Sequence, residues 1–179
     1  MLRPERAQNL DTFKILNFCP MNHRDTVVDV GCGPGYFTLP LAKFLVNGKV
    51  IGLDTSDDML KACQERLDAV RLGNVNLLKC GEYEFPVAPG TVDGLFIAFV
   101  LHHPEDRVRF LKAAGEMLKP GGWCFILEWH AKETESGPPQ ETRIDPVQLG
   151  QIARDSGFRV QTGARDINND NYMIALSKR

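Results

Sequence analysis

One stretch of nine residues, Val27-Val28-Asp29-Val30-Gly31-Cys32-Gly33-Pro34-Gly35, constrains the fold of this chain most strongly. An apolar run containing one acid leads into three glycines at every second position, and an amphipathic segment follows from Thr38. This order predicts a strand, a tight turn and a helix. Glycine has no Cβ, so such a turn lets the backbone approach a bound molecule closely. Asp54 ends the next apolar run, and together the two motifs predict a nucleoside-containing ligand at the carboxyl end of a parallel sheet.

Strand and helix patterns alternate along the chain, which predicts βαβ units and an α/β fold with a doubly wound sheet. We expect strands over 26–30, 49–54, 75–80, 92–99 and 122–129, and helices over 38–46, 56–71 and 105–118. Ser56 is the expected cap of the second helix, and Pro104 is expected in the first turn of the third.

The C-terminal part has a different pattern. Residues 130–144 read as a loop, and Asp145-Pro146 opens a helix that ends before Gly157. Residues 159–165 and 172–177 are expected to form an antiparallel hairpin, since asparagines and an aspartate lie between them. The complete sheet would then have seven strands, six parallel and one reversed.

The length of 179 residues predicts a single domain over 1–179. Residues 1–25 read as a short helical lead-in to it. The apolar residues expected to pack this segment onto the domain are Leu10, Phe13, Ile15, Leu16 and Phe18.

Charge and cysteine content argue against several classes of function. The formal net charge is −2 and no basic tract is present, so nothing favours binding to nucleic acid. No apolar run approaches the roughly 20 residues of a membrane span. The five cysteines lack Cys-x-x-Cys spacing, which argues against a metal site or a disulfide framework and predicts a cytoplasmic protein.

The spacing of the glycines distinguishes between nucleotide-binding motifs. A dinucleotide site requires Gly-x-Gly-x-x-Gly, but Tyr36 stands at the third required position and Gly35 comes one residue early. A nicotinamide-dependent oxidoreductase is therefore disfavoured. The lysine and hydroxyl residues of a Walker phosphate loop are also missing from the turn.

The motif from Asp29 to Gly35 resembles the first motif of class I S-adenosylmethionine-dependent methyltransferases. The likeness extends to the acidic stretch 52–60, the fourth-strand region around 92–103 and the turn Leu118-Lys119-Pro120-Gly121-Gly122. Within that family the chain is most similar to the ubiquinone/menaquinone-biosynthesis branch, also called methyltransferase type 11. The short loop 128–143 resembles small members of that branch as well.

The resemblance implies S-adenosyl-L-methionine as cofactor, with S-adenosyl-L-homocysteine as product. It assigns cofactor-binding roles to Asp29, Gly31, Gly33, Gly35, Asp54, Met59 and Ala98. The glycines would cradle the methionine part, Asp29 would face its amino group, and Asp54 would bind both ribose hydroxyls. Met59 would pack on adenine, and Ala98 would line the pocket with backbone groups.

One position departs from the pattern of the family. Members usually have an aspartate after the third strand, near adenine, but this chain has Gly81 there, followed by Glu82. Either Glu82 supplies the carboxylate, or recognition at this point uses the backbone alone.

Some of these residues also have ordinary structural interpretations. Asp29 can cap the turn, Asp54 can be a solvated acid at a strand end, and Met59 can fill the core. Cys32 reads as a small turn residue rather than a nucleophile.

Methyl transfer from a sulfonium is an in-line displacement, which requires alignment above all. A base is needed only where the acceptor must lose a proton. His102, His103, Glu128 and His130 lie near predicted strand ends, and we predict His103 and His130 as the catalytic pair. The expected acceptor is a small molecule. The alternative is a cofactor-binding or interaction module with a degenerate active site.

Overall fold

A computed structural model describes residues 10–179, so residues 1–9 of the predicted lead-in lie outside the described part. The helices are α1 (Thr12–Leu16), α2 (Thr38–Phe44), α3 (Asp57–Ala69), α4 (Arg107–Glu116) and α5 (Pro146–Asp155), with a 3-10 turn at Gln140–Thr142. The strands are β1 (Thr26–Val30), β2 (Lys49–Asp54), β3 (Val75–Lys79), β4 (Val92–Ala98), β5 (Leu118–Trp129), β6 (Phe158–Asp166) and β7 (Asn171–Lys178).

All seven strands form one sheet in the order β3-β2-β1-β4-β5-β7-β6. β1 to β5 are mutually parallel, while β7 runs antiparallel to both β5 and β6. The predicted α/β fold with a C-terminal antiparallel hairpin is therefore confirmed, including the single reversed strand. β1 lies between β2 and β4. The chain therefore adds β2 and β3 on one side of β1 and then crosses to the other side to form β4 and β5. A crevice forms at such a switch point, outside the carboxyl ends of the strands.

Helices on both faces of the sheet bury its side chains, and neighbouring residues of one strand point to opposite faces. Val27 belongs to the core under α1 and α2, together with Leu16 and Leu41. Val28 belongs to the core under α4 and α5, together with Leu111. Because both faces of β1 are covered, this strand reads as a nearly continuous apolar run.

Side-chain caps set several helix ends. Ser56 accepts a hydrogen bond from the Met59 N–H, as predicted, and Asp145 caps α5. The predicted start of α4 near Pro104 is wrong. Asp106 caps this helix by accepting from the Arg109 N–H at 2.9 Å, so the helix begins at Arg107.

β5 begins at Leu118, four residues before its predicted start at 122. Leu118 pairs with Val92 of β4, and the register shifts before Gly94 pairs with Trp123. The irregularity accommodates the Pro-Gly-Gly segment within the strand, which is why the sequence pattern placed that segment outside it.

The described part of the lead-in packs on the domain through α1. Leu10, Ile15 and Leu16 are buried there as predicted, and Phe18 is half-buried. Phe13 contradicts the prediction because 54% of it is exposed. In a helix of one turn and a half, only one side can face the domain, and the side with Ile15 and Leu16 does so.

None of the helices within residues 10–179 has the length and apolarity needed to cross a membrane. The same residues hold no cluster of three potential metal ligands.

Candidate functional site

Two adjoining cavities open at the carboxyl ends of the parallel strands. The smaller has a volume of about 140 Å³, and the larger about 590 Å³. Gly31 and Phe99 line both cavities, so the two are neighbours, and together they are called the cleft. The smaller cavity is also lined by Leu10, Asp29, Cys32, Gly33, Pro34, Tyr36, Phe37 and Ala98. The larger is also lined by Val30, Asp54, Thr55, Cys80, Gly81, Glu82, Phe85, Val100, His103, Pro104 and Phe110.

The three glycines of the turn have positive φ angles but different surroundings. A Cβ on Gly31 would come 2.4 Å from Val100 Cγ2, and one on Gly35 would come 2.7 Å from Cys63 Sγ. Gly33 has no atom within 4 Å of its Cβ position, so its Cα faces open space in the cleft. Gly33 therefore lies at the ligand side of the turn, whereas Gly35 serves close packing and lies outside the lining of both cavities.

This contrast leads to a prediction about two substitutions. Gly33→Ala should weaken binding of S-adenosylhomocysteine, with a modest stability cost from its φ of +53°. Gly35→Ala should lower the free energy of unfolding by about 1–3 kcal/mol through overpacking against Cys63 and Leu39. Calorimetric titration and urea unfolding of both variants measure the two effects. Equal losses of stability would contradict the assignment of different tasks to the two glycines.

Asp54, at the end of β2, is hydrogen bonded to the glycine turn. Its Oδ2 accepts from the Gly33 N–H at 2.8 Å, and its Oδ1 accepts from the Ser56 N–H at 2.9 Å. A carboxylate has about four acceptor positions, so each oxygen can accept one further hydrogen bond. The half-buried side chain faces the larger cavity and is suited to bind a pair of neighbouring hydroxyl groups there.

Asp29 is a buried acid at the wall of the smaller cavity. Only 2% of it is exposed, and Thr38 Oγ1 donates to its Oδ2 at 2.6 Å. Burial raises the pKa of Asp29 to about 7, the Thr38 hydrogen bond offsets part of this rise, and the charge of Asp54 adds to it. A buried carboxyl with this pKa is suited to bind a cation, which would favour its ionised form.

The larger cavity combines acidic, apolar and imidazole groups. Gly81 and Glu82 line it together with Asp54. Either residue would need this placement in order to contact adenine. Three aromatic rings, those of Phe85, Phe99 and Phe110, contribute to its wall. Such a lining suits a flat, largely apolar molecule with a few polar groups.

His103 is exposed and lines the larger cavity, while its neighbour His102 is buried beneath it. The ring centroids of the two histidines are 4.1 Å apart. His102 Nδ1 lies 2.9 Å from Oε2 of Glu128, which is fully buried at the end of β5. Glu128 also accepts from the Trp129 N–H at 3.2 Å. His102, which is paired with Glu128, thus packs against the ring of His103.

Besides Gly35, two further predicted site residues, His130 and Met59, lie outside the lining of both cavities. His130 Nε2 is 2.9 Å from Asp166 Oδ1, and its ring packs against Tyr172 at the hairpin end of the sheet. Met59 is half-buried in the first turn of α3. The structure therefore brings together Asp29, Gly31, Gly33, Asp54, Glu82, Ala98 and His103 along one cleft.

The sequence analysis missed Thr38 and Phe99 as site residues. Thr38 is the first residue of α2, and nothing in the helix pattern marks it as the partner of Asp29. Phe99 directly follows β4 and has a φ of +60°, which is rare for a residue with an aromatic side chain. Its N–H donates to the Leu127 carbonyl at 2.8 Å, which fixes the backbone at this point, and the residue lines both cavities.

Comparison with known proteins shows the family. The model of the methyltransferase domain family matches residues 27–122, which include the glycine turn, Asp54 and His103. This chain belongs to the methyltransferase domain family. A demethylmenaquinone methyltransferase from Bacillus cereus is 33% identical over 124 residues, which are 69% of this chain and 51% of that relative. The chain thus spans about half the length of the curated relatives it matches.

Solved structures of methyltransferases extend the match over nearly the whole chain. A SAM-dependent methyltransferase from Aquifex aeolicus is 29% identical, with a TM-score of 0.93, and the alignment covers 99% of this chain and 94% of that one. A methyltransferase from Mesorhizobium loti shares the fold at 16% identity, with a TM-score of 0.76 and 96% and 99% of the two chains covered. The predicted membership of the class I S-adenosylmethionine-dependent methyltransferases, menaquinone/ubiquinone-like branch, is confirmed.

S-adenosylmethionine is the cofactor of this methyltransferase family. The residues of the cleft fit it. Gly33 leaves space in front of its Cα, the Asp54 oxygens suit a ribose diol, and the buried Asp29 suits an ammonium group.

Proposed function

We propose that this protein is an S-adenosylmethionine-dependent methyltransferase that transfers a methyl group to a small-molecule acceptor by in-line displacement. The observation that carries the proposal is the arrangement of Asp29 and Asp54 around the open face of Gly33. One acid is buried and suits a cation, while the other has backbone partners and spare acceptor positions. Both acids support cofactor binding, and the transfer assay described below distinguishes an enzyme from a module that only binds the cofactor.

We assign the ribose hydroxyls to Asp54 and the ammonium of the methionine part to Asp29. Gly31, Gly33 and the backbone at Ala98 would border that part of the cofactor. We propose that Glu82 contacts the edge of the adenine, because it lines the larger cavity beside Gly81. The predicted contact of Met59 with adenine has less support, since Met59 lies outside the cavity lining.

When bound, S-adenosylmethionine supplies a methyl group on a positively charged sulfur, which is already activated for transfer. The task of the chain is to hold the acceptor in line with that bond and to exclude water. His103 can take a proton from a hydroxyl acceptor in the larger cavity. It is the stronger of the two predicted catalytic residues, because the His130 ring pairs with Asp166 outside the cleft lining.

The acceptor that we favour is a small aromatic molecule with an ionisable hydroxyl. The three phenylalanine rings and His103 in the larger cavity support this choice. The name of the Bacillus cereus relative, a demethylmenaquinone methyltransferase, points to the same chemical class. We also propose that 1–179 acts as one domain, since a single sheet holds all described strands. A cytoplasmic location is consistent with the five free cysteines.

The buried Asp29 should make cofactor binding depend on pH. If Asp29 binds an ammonium in its ionised form, the affinity for S-adenosylhomocysteine should fall about tenfold per pH unit below pH 7. Asp29→Asn should bind more weakly at pH 8 and should lose this dependence. Calorimetric titrations between pH 5 and pH 8 measure it, with Asp58→Asn, an exposed acid on α3, as control. The same pH profile in wild type and Asp29→Asn would contradict the assignment.

The raised pKa of Asp29 makes the stability of the ligand-free protein change with pH in the opposite direction to cofactor affinity. The folded-state pKa of Asp29 is about 7, against an ordinary value of 3.8, so the folded state binds this proton more tightly. The contribution of Asp29 to the free energy of unfolding therefore decreases as pH rises from about 4 to about 7. Urea unfolding of wild type and Asp29→Asn across this range should show the difference in slope.

The proposed function is tested by binding and by transfer. Titration calorimetry should detect S-adenosylmethionine and S-adenosylhomocysteine binding, with no binding of NADH. Transfer of a radiolabelled methyl group should then be measured with hydroquinones, catechols and simple phenols. Binding of NADH but not of S-adenosylhomocysteine would overturn the proposal. Cofactor binding without transfer to any acceptor of the panel would favour the binding module instead.

A further inference from the structure

The lining of the cleft carries acids but neither lysine nor arginine. Asp29 lines the smaller cavity, and Asp54 and Glu82 line the larger one. Among residues 10–179, no lysine or arginine lines either cavity, although the whole chain has 21 of them. His103 supplies the basic group of the described lining. A cleft lined by one sign of charge attracts ligands of the opposite sign and repels ligands of the same sign.

Basic residues adjoin the lining in the sequence, but their side chains have partners outside it. Lys79 directly precedes a lining residue and pairs with Asp57 on the surface. Arg109 also precedes a lining residue, and its guanidinium carbon lies 4.4 Å from the centroid of the Tyr83 ring. Arg107 donates to a carbonyl of the 3-10 turn at 2.8 Å. The sequence therefore places cations close to the cleft, and the fold directs them away from it.

The bound cofactor would neutralise only part of this charge, a step that rests on the proposed function. S-adenosylmethionine carries one net positive charge, since its ammonium and sulfonium outweigh its carboxylate. The ribose hydroxyls assigned to Asp54 and the adenine edge assigned to Glu82 are uncharged groups. The two carboxylates of the larger cavity therefore outnumber the net positive charge of the cofactor, and the space for the acceptor remains negative.

We propose that the larger cavity selects its acceptor by charge: it admits aromatic molecules that are neutral or cationic and rejects those that carry a carboxylate or a phosphate. Glu82 is the specificity-determining residue, because its exposed side chain lines this cavity and meets an arriving acceptor. Two unit charges about 8 Å apart and partly screened by solvent change a binding constant by about tenfold.

The same selection decides the protonation state in which a phenolic acceptor enters. A phenolate is an anion, so the cavity takes the uncharged phenol, and the proton must leave within the site. The phenol oxygen gains the methyl group as the carbon–sulfur bond breaks, the electron pair of that bond stays on sulfur, and His103 takes the proton. Exclusion of the phenolate therefore gives the imidazole in the lining a task.

Three catechols of similar size test the selection: 4-methylcatechol is neutral, protocatechuate is an anion and dopamine is a cation. Transfer of a radiolabelled methyl group at saturating S-adenosylmethionine gives kcat/KM for each. The values for 4-methylcatechol and dopamine should exceed that for protocatechuate by about tenfold or more, and added sodium chloride should reduce the difference. An anion that reacts as well as the neutral catechol, at low salt, would overturn the proposal.

Variants at Glu82 separate charge selection from the intrinsic reactivity of the catechols, because the same three probes are used throughout. Glu82→Lys should narrow the ratio of kcat/KM for 4-methylcatechol over protocatechuate by about tenfold, and Glu82→Gln by about threefold. A merely structural role would lower both kcat/KM values and leave their ratio unchanged. Glu84→Lys is the matched control, since Glu84 is exposed but lies outside both linings. An unchanged ratio in folded Glu82→Lys and Glu82→Gln would overturn the assignment of Glu82.

Binding measurements separate failure of this inference from failure of the proposed function. Each catechol is titrated calorimetrically into the complex with S-adenosylhomocysteine, so that selection is measured without transfer. The expected order of affinities without any methyl transfer would support charge selection and count against the methyltransferase. Binding of S-adenosylhomocysteine followed by equal affinities, or by no binding of any catechol, would overturn charge selection and leave the cofactor assignment intact.

Discussion

Asp54→Ala should lower the affinity for S-adenosylhomocysteine by about 100-fold or more. Two hydrogen bonds from ribose hydroxyls to a carboxylate contribute about 1.5–3 kcal/mol each. The substitution also removes the acceptors of the Gly33 and Ser56 N–H groups, so the turn loses its link to β2. Titration calorimetry measures the loss directly.

Asp57→Ala is the matched control for this prediction. Asp57 lies three residues further on, is exposed, and pairs with Lys79 on the surface. Its loss should leave the affinity within about twofold of wild type, because exposed ion pairs contribute little. Urea unfolding of ligand-free Asp54→Ala shows whether the turn is still folded. A folded Asp54→Ala protein with unchanged affinity would refute the ribose assignment.

His102→Ala should reduce the free energy of unfolding by about 1–3 kcal/mol, the usual cost of leaving a buried polar group without its hydrogen-bond partner. The substitution leaves the Glu128 carboxylate fully buried without the imidazole 2.9 Å away. The remaining backbone donors, the N–H groups at 102 and Trp129, are longer contacts of 3.3 and 3.2 Å. Urea unfolding at neutral pH measures the loss.

His103→Ala provides a control at the adjacent position, where the exposed side chain predicts a change within about 0.5 kcal/mol. A double variant, His102→Ala with Glu128→Gln, replaces the buried carboxyl group left without its partner by an amide and should recover part of the stability. A small effect of His102→Ala, or a double variant less stable than the single one, would contradict the buried pair.

The succession of strands and helices along the chain was predictable because each signal was local. Alternating apolar runs and caps such as Ser56 and Asp145 report on a few neighbouring residues, and the structure agrees with them. The spacing of Gly31, Gly33 and Gly35 disfavoured a dinucleotide, and the resemblance of the motif from Asp29 to Gly35 to class I methyltransferases implied the cofactor. Their separate tasks were not predictable, because they depend on Val100 and Cys63, which are distant in sequence.

The errors at Pro104 and Phe13 have local causes. Pro104 carries a helix-start signal, but the Asp106 side chain supplies a cap two residues later. Phe13 is apolar, yet α1 is too short to bury two sides. The left-handed conformation of Phe99 and the pairing of His102 with Glu128 arise from tertiary contacts, which no pattern along the chain encodes.

The most direct test of the central claim is a crystal structure with S-adenosylhomocysteine bound. We expect both ribose hydroxyls within hydrogen-bond distance of the Asp54 carboxylate and the amino group within hydrogen-bond distance of Asp29. The sulfur should lie where Gly31 and Phe99 join the two cavities. A ligand bound elsewhere, or one whose ribose contacts neither oxygen of Asp54, would contradict the account.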